Sequence, residues 1–213
     1  MKFTGRIRDG IFALGFFSVG LALVPTASGQ QASNARHQPA LPLPALRDGQ
    51  HDFDFEIGTW KIHLSRRVKR LEGSNEWVEF DGTSVTKPLW DGKANFEQFE
   101  TDSPNLHIEG LTLRVYNPQT HQWSIYWASA KDPEMGTPIV PMIGEFHADG
   151  TGEFYDQETW NGRSVYVRFI WSRITPNSAH FEQSFSADGG KTWEVNWITD
   201  QTRVREGATQ PPK

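Results

Sequence analysis

Between His51 and Arg203 the chain repeats one pattern, in which β-branched and aromatic residues alternate with polar ones until a short turn interrupts them. The runs are Trp60–Leu71, Trp77–Pro88, Lys93–Thr101, His107–Tyr116, Gln122–Ala130, Met142–His147, Gly152–Trp160, Ser164–Ile174, Ala179–Phe185 and Thr192–Arg203. Turn chemistry separates them: EGSN, WDGK, NPQTH, ADGTG, NGR, TPNS and SADGGK supply the Gly, Asn, Asp and Pro that reversals require. Almost no helical period is present. The pattern predicts an all-β fold, a single antiparallel meander of about ten strands. Closing it into a barrel removes its exposed edges, so a barrel is expected rather than an open sheet.

Alternation also assigns faces, because successive strand residues point to opposite sides. Val165, Val167, Phe169 and Trp171 form one set, as do Phe181, Gln183 and Phe185, and Trp123, Ile125 and Trp127. In the last run Trp193, Val195 and Trp197 oppose Glu194 and Asn196. The apolar sets should face inward, giving a lumen lined by aromatics with a few polar groups such as Gln183. By the same rule Asp52, Asp54 and Glu56, alternating with Phe53, Phe55 and Ile57, read as an exposed acidic face. Arg168, Glu182 and Asn196 read as an outward row able to meet across neighbouring strands, at most a solvated ion pair.

Flanking segments differ. Lys2, Arg6 and Arg8 precede the apolar run Ile11–Val24, too short for a comfortable membrane span and followed by PTASGQ. This is the shape of a secretory signal over residues 1–29, with Ala27 and Gly29 placed for cleavage before Gln30. A retained anchor is the alternative. Residues 30–50, polar and punctuated by proline, read as a flexible leader, and 206–213 as a disordered tail. No other apolar run approaches spanning length, so no membrane insertion is expected after cleavage. The reading predicts a soluble protein exported to a bacterial periplasm or outside the cell.

The signal holds three of the 21 basic residues and one of the 26 acidic ones, which leaves the remaining chain at −7. Such a surface repels phosphate backbones, so nucleic acid is not an expected partner. With 0 cysteines there is no disulfide framework, no thiolate metal site and no cysteine nucleophile. Stability must come from the core, for which 9 tryptophans and 14 phenylalanines supply bulk.

The stretch IGTWKIHL, with Gly58 and Trp60 opening the first strand, together with Arg203 closing the last, resembles the lipocalin-like (calycin) barrels. The resemblance implies that Trp60 packs at the barrel floor with Arg203 across its ring. Three blocks in order, FDFEIGTW, LTLRVYNPQTHQWSIYW and SFSADGGKTWEVNW, are similar to a family of secreted bacterial domains of unknown function. What that similarity implies is a fold and an export route, with no catalytic residues to carry over. Ser186, Asp188, Gly190, Thr192 and Trp193 resemble the Asp-box hairpin of sialidases and other propellers. One full copy is present where a propeller needs one per blade, so the hairpin is expected to hold the fold, with Trp193 in the core.

Some ten-stranded calycins hold haem through a histidine, which makes the histidines a direct test. His63 and His180 have outward parity, His37, His51 and His121 lie in the leader, before the first strand and in a turn, and His107 and His147 lie at strand ends. No pair shares a face at metal-ligand spacing, so neither metal nor other cofactor is expected. No Gly-rich phosphate loop, serine elbow or Ser-x-x-Lys appears.

Lys131–Met142 is the longest stretch without strand pattern. Met135 and Met142 there suit a lid over an apolar ligand, and a plug filling the barrel is the alternative. The cavity-lining and lid residues expected to meet a small, partly apolar ligand are thus Trp123, Trp127, Phe169, Trp171, Phe181, Gln183, Met135 and Met142. Three functions follow: a small-molecule binder; a hydrolase or isomerase in the same cavity using Gln183, Glu97 or Glu100; or a ligand-free scaffold. The pattern sets no oligomeric state.

Overall fold

The computed structural model describes residues 47–101, 103, 107–131 and 140–205. The signal, the leader up to residue 46, the tail and Met135 lie outside these residues. Ten strands form the fold: β1 (Gly58–Arg67), β2 (Trp77–Leu89), β3 (Ala94–Thr101), β4 (Glu109–Asn117), β5 (Gln122–Ser129), β6 (Met142–Phe146), β7 (Gly152–Trp160), β8 (Arg163–Thr175), β9 (Ser178–Ser186) and β10 (Glu194–Arg203). Every strand pairs antiparallel with its neighbours in sequence, and β1 pairs with β10 from Trp60↔Arg203 to Arg66↔Trp197, closing a lipocalin-like barrel. Among the described residues the weakest seam is at β6, which pairs with β5 only over Trp123–Ile125 and with β7 only over Gly152–Tyr155. Among the described residues no helix is long and apolar enough to cross a membrane.

A short 3-10 helix, Asp54–Glu56, precedes β1 and seals one end, the floor. Hydrogen bonds from Glu56 N to Phe53 O (3.0 Å) and from Ile57 N to Asp54 O (3.2 Å) close it. In this geometry residues i and i+3 eclipse, so Phe53 and Glu56 both turn inward, with 1 % and 0 % exposure. The expected exposed acidic face is therefore corrected: Asp54 is exposed, Asp52 is half-buried against Arg47, and Glu56 is wholly buried. The leader boundary shifts too. Arg47 donates to Asp52 Oδ1 (2.8 Å) and Phe146 O (2.7 Å), and Gly49 O accepts from Trp123 Nε1 (2.9 Å), so the chain is tied to the floor before His51.

At the floor Arg203 lies over the Trp60 ring, 4.2 Å from its centroid, and donates to Ile57 O (2.6 Å), Phe55 O (2.5 Å) and Pro176 O (2.6 Å). Trp60 Nε1 donates to Glu56 O (2.9 Å). One arginine thus fastens the plug, the last strand and the β8–β9 turn to a single indole. Gly58 leaves the room for it. Its φ is +120°, and a Cβ there would stand 2.7 Å from Arg203 Nη1. Gly58→Ala is expected to lower stability by about 1–2 kcal/mol, measured by urea unfolding. An unchanged midpoint would show that the plug tolerates displacement of Arg203.

The SADGGK turn is a local hydrogen-bond cage. Asp188 Oδ1 accepts from Ser186 Oγ (2.8 Å), Lys191 N (3.1 Å) and Thr192 N (3.0 Å), and Thr192 Oγ1 donates to Oδ2 (2.7 Å). These donors, the Thr192 amide foremost, hold the Asp188 carboxyl down at about 2. Gly190, at φ +85°, donates its N–H to Ser186 Oγ (2.8 Å). The expectation that Trp193 enters the core is corrected. A bulge between Val195 and Trp197 shifts the register, so residues before it take the opposite parity. Trp193 lies half-buried on the outer face, with the Arg168 guanidinium 4.5 Å from its ring centroid, and Asn196 is turned inward with 0 % exposure. The outward row of Arg168, Glu182 and Asn196 does not form: Arg168 stacks on Trp193, and Glu182 Oε1 lies 3.0 Å from His180 Nε2.

Candidate functional site

The lumen is divided between two kinds of wall. Strands β5 to β9 turn aromatic and aliphatic side chains inward, and Phe169, Trp171 and Phe181 pack edge-on or tilted at centroid distances of 4.6–6.0 Å. On β2 to β4 and β10 a polar set, Ser84, Asn95, Glu97, Thr112, Arg114 and Gln201, is buried on the inward side beside Phe80, Phe99 and Trp197. Between the walls lies a cavity of about 760 Å³. Its size is that of an ordinary small-molecule site.

At the centre of the polar wall Arg114 Nη2 meets Glu97 Oε2 at 2.6 Å, and Nη1 donates to Asn95 Oδ1 at 3.0 Å. Ser84 Oγ donates to the other Glu97 oxygen at 2.7 Å. Burial opposes the charge on Glu97, but Arg114 and the hydroxyls of Ser84 and Thr112 outweigh it and hold the carboxyl below its usual range. The guanidinium also lies near two rings, 5.0 Å from the Phe53 centroid and 5.8 Å from that of Trp171. Beneath Trp171, whose Nε1 donates to Glu56 Oε1 (3.0 Å), the Glu56 carboxyl has the opposite fate. Burial, reinforced by the nearby Glu97 charge and opposed by Arg114, Trp171 and Gln201, pushes it up to about 7. Two carboxyls that share the field of one arginine are thereby shifted in opposite directions.

The expected cavity residues fall as follows. Trp127, Phe169, Trp171, Phe181, Gln183 and Met142 line the cavity. Trp123 does not: it is 1 % exposed within the floor core, against Phe53 (5.1 Å) and Tyr116 (5.4 Å). The reason is its place at the β5 start, on the level of the plug rather than of the lumen. Trp127 occupies the mouth-ward end of the same strand, its ring filling the space over Gly110, where a Cβ would stand 2.2 Å from it. Gln183 Nε2 donates to Asn196 Oδ1 at 2.8 Å. Glu97 lies in the middle of β3 rather than at a strand end, and Glu100 on the opposite face.

Sequence reasoning missed Glu56, Asn95, Thr112, Arg114, Thr199 and Gln201. A signal existed for Arg114: on β4 the alternation Leu111, Leu113, Val115 against Thr112, Arg114, Tyr116 is inverted, with the second set buried. Outside the barrel, His63 Nδ1 lies 2.9 Å from Asp81 Oδ1 and His180 Nδ1 lies 2.7 Å from Asp200 Oδ1. Among the described residues no group of three or more His, Asp or Glu side chains gathers to hold a metal ion.

One solved structure similar to this chain is the S-type phycobiliprotein lyase CPES from Guillardia theta. The two share 14 % identity and a TM-score of 0.48, over 72 % of this chain and 90 % of that one. No family model and no curated protein matches the chain.

Proposed function

We propose that this protein is an exported barrel that binds a small, partly apolar molecule between its aromatic and polar walls. The observation that carries the reading is the cavity of about 760 Å³ with Gln201 on its wall, 7 % exposed and its Oε1 without a hydrogen-bond partner. A buried acceptor left open costs about 1–3 kcal/mol, which the Gln201 amide recovers by turning toward a donor on a molecule held in the cavity. Aromatic walls with few convergent polar groups are the ordinary chemistry of such sites.

Local geometry favours holding over turnover. Both Glu97 oxygens are engaged by Ser84 and Arg114, and the Gln183 amide is engaged by Asn196. These groups set orientation and polarity.

Native mass spectrometry of the protein secreted by its own host tests the proposal. A reproducible extra mass, absent after denaturation, is expected, on a chain beginning at Gln30 if the signal is cut as read. A bare mass from freshly secreted protein, with no dye or lipid displacing anything from the cavity, would overturn the binding reading.

A further inference from the structure

The β1–β2 loop brings Arg70 back over the barrel mouth. Its guanidinium carbon stands 5.2 Å from the Trp160 centroid and 5.6 Å from that of Phe185, and the side chain lines the cavity. Arg70 is 9 % exposed, yet among the described residues no hydrogen bond or ion pair holds it, and its Nε is buried without a partner. Arg66, whose charge acts on Arg70, shares the inward parity of Trp60, Ile62 and Leu64 and lies at the same end of β1. In register that residue pairs with Trp197, another cavity-lining ring, and its Nε is likewise buried without a partner.

Two guanidinium groups brought together with open donors are costly on both counts, desolvation and mutual repulsion. The acids nearby, Glu158 and Glu194, offset this charge only in part. Glu194 Oε1 is engaged by the Leu71 amide at 2.7 Å, and Asp156 hydrogen-bonds to its neighbour Glu158. Burial and Arg66 lower the Arg70 pKa to about 10, offset in part by Glu158 and Glu194, so the group keeps its charge at neutrality. An oxyanion in the cavity meets Arg70, which lines it, with the Arg66 charge acting on the same place, and a planar fork suits a carboxylate or sulfonate bidentately.

We infer that Arg70 and Arg66 form an anion seat at the mouth, and that the cavity takes an aromatic or apolar molecule bearing one compact oxyanion head. The inference rests on the binding reading above. The head docks between the arginines, the body lies along Phe169 and Phe181, and the far end reaches Gln201.

Two dyes that share an aromatic body and differ in a sulfonate make the test: 8-anilinonaphthalene-1-sulfonate and the uncharged N-phenyl-1-naphthylamine. Both are titrated by fluorescence into the secreted protein and its variants. The sulfonate is expected to bind more tightly. Arg70→Gln should weaken it by at least about tenfold while leaving the neutral dye unchanged, and Arg70→Lys should fall between. Arg66→Gln should show the same selectivity, and it carries the test if Arg70→Gln loses both dyes by unfolding. Sulfonate binding that neither variant weakens selectively would overturn the anion seat and leave the binding reading intact. Failure of both dyes to enter the wild-type cavity would overturn the two together.

Discussion

Replacing Arg114 with leucine lowers the stability of this barrel by about 3–5 kcal/mol, read as a shift of the urea midpoint at neutral pH. The size follows from what is left behind. Glu97 is 6 % exposed and meets Arg114 at 2.6 Å, so leucine strands a carboxylate in a site too dry to solvate it. Asn95 loses its donor, and the Phe53 and Trp171 rings lose the cation beside them. Two further results separate this account from simple overpacking. The double variant Arg114→Leu with Glu97→Leu should recover most of the loss, because removing both partners removes the stranded charge. The single-variant deficit should also shrink as pH falls and Glu97 takes a proton. An Arg114→Leu protein within about 1 kcal/mol of wild type would mean that water in the cavity solvates Glu97 and that the pair contributes orientation alone.

That a polar wall exists at all was legible in only one place. Strands β8 and β9 obey simple alternation: Val165, Val167, Phe169 and Trp171 face inward, and so do Phe181 and Phe185. Their apolar set reads directly, although on β9 the outward His180, Ser184 and Ser186 are buried as well. On β4 the rule inverts, for Leu111, Leu113 and Val115 cover the outside while Thr112, Arg114 and Tyr116 turn in. A strand that buries its charged residue signals a polar interior, but only once its neighbours are known to supply Glu97 and Asn95. That pairing is set by β3–β4 register, Asn95↔Arg114 and Glu97↔Thr112, which no local run contains. The bulge at Val195/Trp197 was illegible for a related reason: one inserted residue moves Trp193 outside while sparing Trp197 and Arg203 downstream. Glu56 was misread because period 2 was applied to a segment whose period is 3. The stretch DFDFE alternates as well as any strand, yet its hydrogen bonds to Phe53 O and Asp54 O make it a 3-10 turn.

Glu56 supplies the other large effect, a stability that falls as pH rises from about 4.5 toward 8. Its carboxyl moves from an ordinary 4.5 to about 7 in the folded barrel, chiefly through burial. Between those values the folded chain binds more protons than the unfolded one, so the linkage slope is negative: stability is full below 4.5 and is lost as pH climbs through 7. A shift of this size is worth up to about 3 kcal/mol. Glu56→Gln removes the ionisation while keeping an oxygen to accept from Trp171 Nε1, so its advantage over wild type should be small at pH 4.5 and grow to that value by pH 8. Asp156, also raised to about 7 by burial and then by Glu158, adds a slope of the same sign that survives in the Glu56→Gln protein and disappears in Asp156→Asn. Urea unfolding across this range decides the matter. A Glu56→Gln advantage that stays constant from pH 4.5 to 8 would show that Arg114, shared with Glu97, keeps both carboxylates ionised, and the barrel centre would then carry one more negative charge than its arginine balances.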